Sequence, residues 1–189
     1  INSMCGFLGS ITKSEIAENE LELCNQRIIC RGPDEKKIIN NKQYSSNPLF
    51  HNFVFNRLSI IDLSSSASQP MFSEKFNTLI MFNGEIYNHR ELRKELENSG
   101  IKFNSSHSDT ETLLMGLSSI GIDFIKKING QFSIFFYDIT KKCFYLIRDR
   151  AGQKPLYYSK TSQGIYFSSD LQSVKNLSKS YELDSKQIS

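Results

Sequence analysis

The sequence holds 189 residues, enough for one compact domain with a substantial core and marginal for two. Its 23 Lys and Arg against 20 Asp and Glu leave a formal net charge of only +3, which argues against a nucleic-acid-binding face as the main business of the chain. No apolar run approaches the roughly 20 residues of a membrane span. Four cysteines without a CxxC pair, beside three scattered histidines, fit reduced thiols in a cytoplasmic protein better than a structural zinc site.

The chain opens INSMCGFLGS. Residues 1–3 stand before a methionine and read as a remnant left in front of a start codon, so that Met4-Cys5 is the expected natural beginning. Removal of Met4 would leave Cys5 as the N-terminal residue. CGFLGSIT is short and β-prone and predicts a first strand from Cys5. In SEIAENELELCNQRII, Leu21, Cys24 and Ile28 recur at helical spacing behind Ser14 as cap, and Gly32-Pro33 breaks the helix. HNFVFNRLSIIDL and NTLIMFNGEIYN are apolar, β-branched or aromatic and predict strands. Asn88 is the expected cap of HRELRKELENSG, with Glu91 completing a capping box and Gly100 ending the helix. Asp109 is the expected cap of SDTETLLMGLSSIG, with Leu113, Leu114 and Leu117 on one face. QFSIFFYDI, CFYLIRDR, PLYYSKT and GIYFSSD predict strands joined as an antiparallel meander. LQSVKNL predicts a last short helix, and residues 184–189 read as the start of a linker. Antiparallel sheet layered with helices, an α+β arrangement, is the natural packing.

Three stretches carry chemistry. A Cys5 freed at its α-nitrogen would hold a thiol of pKa about 8.5 beside an amine of about 8, a matched nucleophile and base that needs no histidine. His89 and His107, each at a predicted helix start, are read as surface residues rather than as that base. Asn83-Gly84 in FNGEIYN is both a strong hairpin signal and a candidate oxyanion hole, through the Asn83 amide and the Gly84 N–H. Arg57 inside an apolar strand requires a carboxylate. Asp109 is either a helix cap or, with Arg57, one half of a grip on the ammonium and carboxylate ends of an amino acid.

MCGFLG, RGPD, RLSIIDL, QPM, FNGEIYNHRELRKEL, SDTE, NGQFSIFFYD, RDRAGQKPLYY and FSSDL occur here in the order found in class II glutamine amidotransferase domains. From Met4 to about Leu183 the chain resembles the N-terminal domain of glutamine-hydrolysing asparagine synthetases. The resemblance implies the N-terminal-nucleophile hydrolase fold, a four-layer α-β-β-α sandwich of two antiparallel sheets, over residues 4–183. It implies Cys5 as nucleophile and Asn83 with Gly84 as oxyanion hole. L-glutamine would be held by Arg57, the backbone of Ile60 and Ile61, Asn83, Gly84, Glu85 and Asp109. RGPD and RDRAGQKPLYY would be structural, or lie near the route to a partner domain. No metal or cofactor is implied for this domain. ATP and Mg²⁺ belong to a C-terminal synthetase domain that amidates aspartate, and nothing in these residues resembles its ATP-binding loop. Other ammonia acceptors, such as a sugar or another carboxylate, a non-catalytic glutamine-binding module and a homodimer stay open. Neither nucleic acid nor membrane is an implied partner. The sequence departs from the family at Cys30, Phe55, Ala151, Gln153 and Asp170, none of which is an implied catalytic position.

Overall fold

The computed structural model describes residues 5–41, 49–58 and 68–180. Among these residues nine strands form two antiparallel sheets. One is ordered β2 (Glu35–Asn41), β3 (Phe50–Arg57), β1 (Gly6–Thr12), β9 (Gly164–Ser168), β8 (Tyr157–Thr161). The other is ordered β4 (Met71–Ser73), β5 (Thr78–Ile86), β6 (Gly130–Asp138), β7 (Cys143–Arg148). Among the described residues four α-helices flank them: α1 (Glu18–Asn25), α2 (His89–Asn98), α3 (Asp109–Ile120) and α4 (Leu171–Ser178).

Side-chain parity explains the layering. Alternate strand residues point to opposite faces, and both faces of both sheets are apolar. Phe7, Phe53, Phe55, Leu79, Met81, Phe135, Tyr137 and Phe167 meet between the sheets. The Phe135 and Phe167 rings stack across that space with centroids 4.4 Å apart. Gly9 keeps the space open, because a Cβ there would come within 2.3 Å of the Phe167 ring. The opposite parity of the first sheet, Leu8 and Val54 among them, packs with Leu21, Cys24, Val174 and Leu177 under α1 and α4. On the second sheet Ile80, Phe82, Ile134 and Phe136 pack with Leu92, Leu96, Leu113 and Leu117 under α2 and α3. The order helices, sheet, sheet, helices is the four-layer sandwich that the resemblance implies.

Several local expectations change. The four C-terminal strands are not one meander: β6 and β7 pair in one sheet, and β8 and β9 in the other. RDRAGQKP makes the crossing as a tight turn. In it the Asp149 carboxylate accepts from the N–H groups of Gln153 and Lys154 at 2.9 and 3.0 Å, and Arg148 donates to the carbonyls of Gly152 and Lys154. Asn83-Gly84 is not a hairpin turn but lies inside β5, opposite Ser133 and Phe132 of β6.

Two predicted caps move, and a third keeps its place without its cap bond. α1 starts at Glu18, four residues after Ser14, whose carbonyl is tied into a bend by the Thr12 hydroxyl at 2.8 Å. Asn88 does occupy the cap position of α2, but its side chain makes no cap bond. It bonds instead to the Lys127 carbonyl and the Asn129 N–H, both at 2.9 Å. The cap of α3 is Ser108, whose hydroxyl accepts from the Glu111 N–H at 3.1 Å, which leaves Asp109 as the first helical residue. Strands β2 and β4 escaped the sequence reading; EKKIINN is too charged and MFS too short to show an alternating pattern. Among the described residues no helix is long and apolar enough to cross a membrane.

Candidate active site

Parity and register bring the predicted residues to one end of the space between the sheets. Cys5 packs against the inter-sheet core and shares the parity of Phe7. β1 pairs with β3 so that Gly6 faces Asn56, and the same register carried one residue further sets Cys5 against Arg57. Arg57 in turn faces Glu35 of β2. Glu35 and Arg57 are thus cross-strand neighbours, and Cys5, just ahead of β1, lies in line with them beside Leu58. Asn83 shares the parity of Leu79 and Met81, so it points into the same space from the opposite sheet.

The half-buried Cys5 thiol sits against the backbone of Leu58. The Leu58 N–H donates to Sγ at 3.3 Å, and Sγ lies 3.7 Å from the Leu58 carbonyl. Burial raises the thiol pKa, and the Leu58 backbone and the Arg57 guanidinium pull it part of the way back. The Asp109 carboxylate pushes it up, so the fields of Arg57 and Asp109 both reach the sulfur.

Arg57 has the carboxylate its apolar strand requires. Its Nη1 lies 3.1 Å from Glu35 Oε2, and the Ser68 hydroxyl donates to Glu35 Oε1 at 2.6 Å. Ser68 and Arg57 together hold the Glu35 carboxyl below the usual range. Sequence reading missed Glu35; only its place directly after RGPD, at the start of an unrecognised strand, could have signalled it.

Asn83 is fully buried, and neither its Oδ1 nor its Nδ2 has a hydrogen-bond partner among the described residues. Buried amides are almost always satisfied, which marks Asn83 as a candidate binding group. Two features aim it. The side chain of the buried Gln69 brackets the neighbouring residue, accepting from the Phe82 N–H at 2.6 Å and donating to the Phe82 carbonyl at 3.2 Å. Gly84 follows with φ +155°, where a Cβ would lie 2.1 Å from the Gln131 carbonyl oxygen, so only glycine fits.

Asp109 closes this end from α3. Its Oδ2 accepts from the Ile86 N–H at 3.4 Å and its Oδ1 from the Thr110 N–H at 2.8 Å. Burial raises its pKa, against the pull of the Ile86 N–H and of His89. His89 is half-buried rather than fully exposed, and its Nδ1 has no partner among the described residues. His107 is exposed as expected. Glu85 is also exposed; burial pulls the Lys154 pKa down, and the carboxylates of Asp149 and Glu85 push against that. Ile60 and Ile61 lie outside the described residues. Among those described, no group of three or more His, Cys, Asp and Glu side chains could hold a metal ion.

A family model for the glutamine amidotransferase domain matches residues 4–189. The chain belongs to that family. This amidotransferase domain is 35% identical over 190 residues to asparagine synthetase [glutamine-hydrolyzing] 1 of Bacillus subtilis, covering 98% of the chain and 29% of that protein. It is 34% identical over 191 residues to putative asparagine synthetase [glutamine-hydrolyzing] 2 of Methanocaldococcus jannaschii, covering 90% of the chain and 35% of that protein. It thus spans about a third of the length of these relatives. Among solved structures, it is similar to the glutamine phosphoribosylpyrophosphate amidotransferase of B. subtilis in complex with ADP and GMP. That match has a TM-score of 0.70 at 16% identity and covers 92% of this chain and 44% of that one, a likeness of fold.

Proposed function

We propose that this amidotransferase domain hydrolyses the side-chain amide of L-glutamine to glutamate and ammonia through a thioester on Cys5. The observation that carries the proposal is the buried, unpartnered amide of Asn83, which faces the space where Cys5 and Arg57 lie in line with each other. With the thiol pKa raised by burial, little thiolate forms unaided at neutral pH. A local base is needed, and the α-amine of an N-terminal Cys5 supplies it.

The amine takes the thiol proton, and sulfur attacks the glutamine amide carbon. The oxyanion rests on the Asn83 Nδ2 and the Gly84 N–H. As the intermediate collapses, the C–N bond breaks and the α-ammonium protonates the departing –NH2 group, which leaves as ammonia. Water then adds to the thioester and releases glutamate. Arg57 takes the substrate α-carboxylate and Asp109 its α-ammonium, with Glu85 and the backbone of Ile60 and Ile61 completing the grip. By the relatives' names, the ammonia serves asparagine synthesis, in which a further domain using ATP and Mg²⁺ amidates aspartate. We place the enzyme in the cytoplasm, where its four cysteines stay reduced.

The test pairs intact mass with glutamate release. Protein whose mass begins at Cys5 turns over glutamine, and Cys5→Ala abolishes this. Protein that retains Ile1 to Met4 has its Cys5 nitrogen in an amide, whose delocalised lone pair accepts no proton, and is inactive. Full activity with those four residues attached would overturn the mechanism.

A further inference from the structure

Glu111 lies two residues past Asp109, is 4% exposed, and spends its carboxylate on Asn104 and Ser105, which have no assigned role toward substrate. Ser108-Asp109-Thr110-Glu111 has the spacing of a capping box, in which the glutamate would return to the N–H of the cap residue. Here it reaches further. Oε1 accepts from the Asn104 N–H at 2.7 Å, and Oε2 accepts from the Ser105 N–H at 2.9 Å and the Ser105 hydroxyl at 2.5 Å. The Ser108 N–H, which the box would leave to Glu111, goes instead to the Ser105 hydroxyl oxygen at 3.2 Å. Ser108 closes the ring by capping the Glu111 N–H. From the other side, Arg93 of α2 donates to the Ser105 carbonyl and lays its guanidinium 4.0 Å from the Phe103 ring centroid.

A buried carboxylate spent on three donors of one loop fixes that loop to the start of α3. Asp109 sits inside the ring that results, between Ser108 and Glu111. We infer that Glu111 is a positioning residue for Asp109: it holds the loop at 104–108 so that the Asp109 carboxylate stays at the substrate end of the inter-sheet space. The inference rests on the proposed role of Asp109 toward the glutamine ammonium.

The experiment is a double-mutant cycle on protein whose mass begins at Cys5. In Glu111→Gln the amide NH₂ opposes a loop N–H, and the ring opens. The KM for glutamine should rise about tenfold with kcat within about threefold, and the calorimetric Kd of glutamine on Cys5→Ala protein should move in parallel. In an Asp109→Asn background, Glu111→Gln should add less than about twofold, because the residue it serves is already disabled. An unchanged KM, or two effects that multiply in full, would overturn the inference. If Glu111→Gln does not fold, Ser105→Ala removes one donor from the same carboxylate and must show a smaller change with the same coupling. Wild-type protein that neither binds nor hydrolyses glutamine would instead refute the proposed function, and this inference with it.

Discussion

Asn83→Ala separates catalysis from folding more sharply than any other change at the site. In most buried positions, truncating a polar side chain leaves its former partners unsatisfied and destabilises the fold. Asn83 has no partner to strand, since both its amide atoms are orphaned among the described residues. Each orphan costs the native state about 1–3 kcal/mol, so their removal stabilises. Against this stands a vacated space of a few tens of Å³, which costs about 0.5–1 kcal/mol. Two orphans against that space favour the variant by at least about 1 kcal/mol, and each kcal/mol gained moves Tm up by about 2–4 °C in a domain of this size.

Turnover should go the other way. One oxyanion donor is worth about 10²- to 10³-fold in kcat, or about 2.7–4 kcal/mol, and because it acts on charge that develops only in the transition state, KM should move little. Asn83→Asp keeps the shape, removes the donor and sets a negative charge where the oxyanion forms, so its kcat should fall further still. Thermal melts and steady-state glutamate release on the same samples decide the matter. A kcat within a few-fold of wild type, or a Tm lowered by several degrees, would refute the reasoning and make Asn83 a structural residue.

Arg57→Ala should raise the KM for glutamine by at least tenfold and also lower Tm, because Glu35 loses its guanidinium; an unchanged KM in folded protein would confine Arg57 to its pairing with Glu35. Asp109 gives a pH signature. Burial raises its folded pKa above the unfolded value, so in free protein this group stabilises the fold most fully below the unfolded pKa, and the contribution is lost as pH rises through the folded pKa. Binding of the ammonium has the opposite sign, since it needs the carboxylate. KM should therefore climb as pH falls through that raised pKa, and Asp109→Asn should have a higher KM without the climb; a wild-type KM flat across acid pH would remove Asp109 from ammonium binding.

Much of this site was legible because its residues are punctuation marks in otherwise apolar strands. Arg57 stands out in a run of Phe, Val and Leu, and Asn83-Gly84 interrupts TLIMF. What stayed hidden was long-range. That Asn83-Gly84 is a strand interior and not a turn depends on β6 lying opposite, with Gln131 so close that no side chain fits at residue 84. Local turn propensity carries no knowledge of that neighbour. The same blindness merged β6 to β9 into one meander, since RDRAGQKP looks like any polar turn until Asp149 and Arg148 are seen wrapping it into a crossing between sheets.

Parity is the deeper reason that the residues singled out in the sequence share one space in the fold. Arg57 and Asn83 within their strands, and Cys5 immediately ahead of β1, have odd numbers, as do the inter-sheet side chains Phe7, Phe55 and Met81. A one-residue slip in any of these strands would send its functional residue to the helix side of its sheet. The apolar alternation that builds the inter-sheet core thus also aims the chemistry, and the core and the site cannot vary independently. Gln69 and Gly84 show where alternation alone does not suffice. Around Asn83, the strand's aim is secured by a side chain bonded to the preceding residue and by a backbone angle that only glycine adopts at the following one. Glu111 does for α3 what these two do for β5, fixing the approach of an element whose functional residue stands at its very first position.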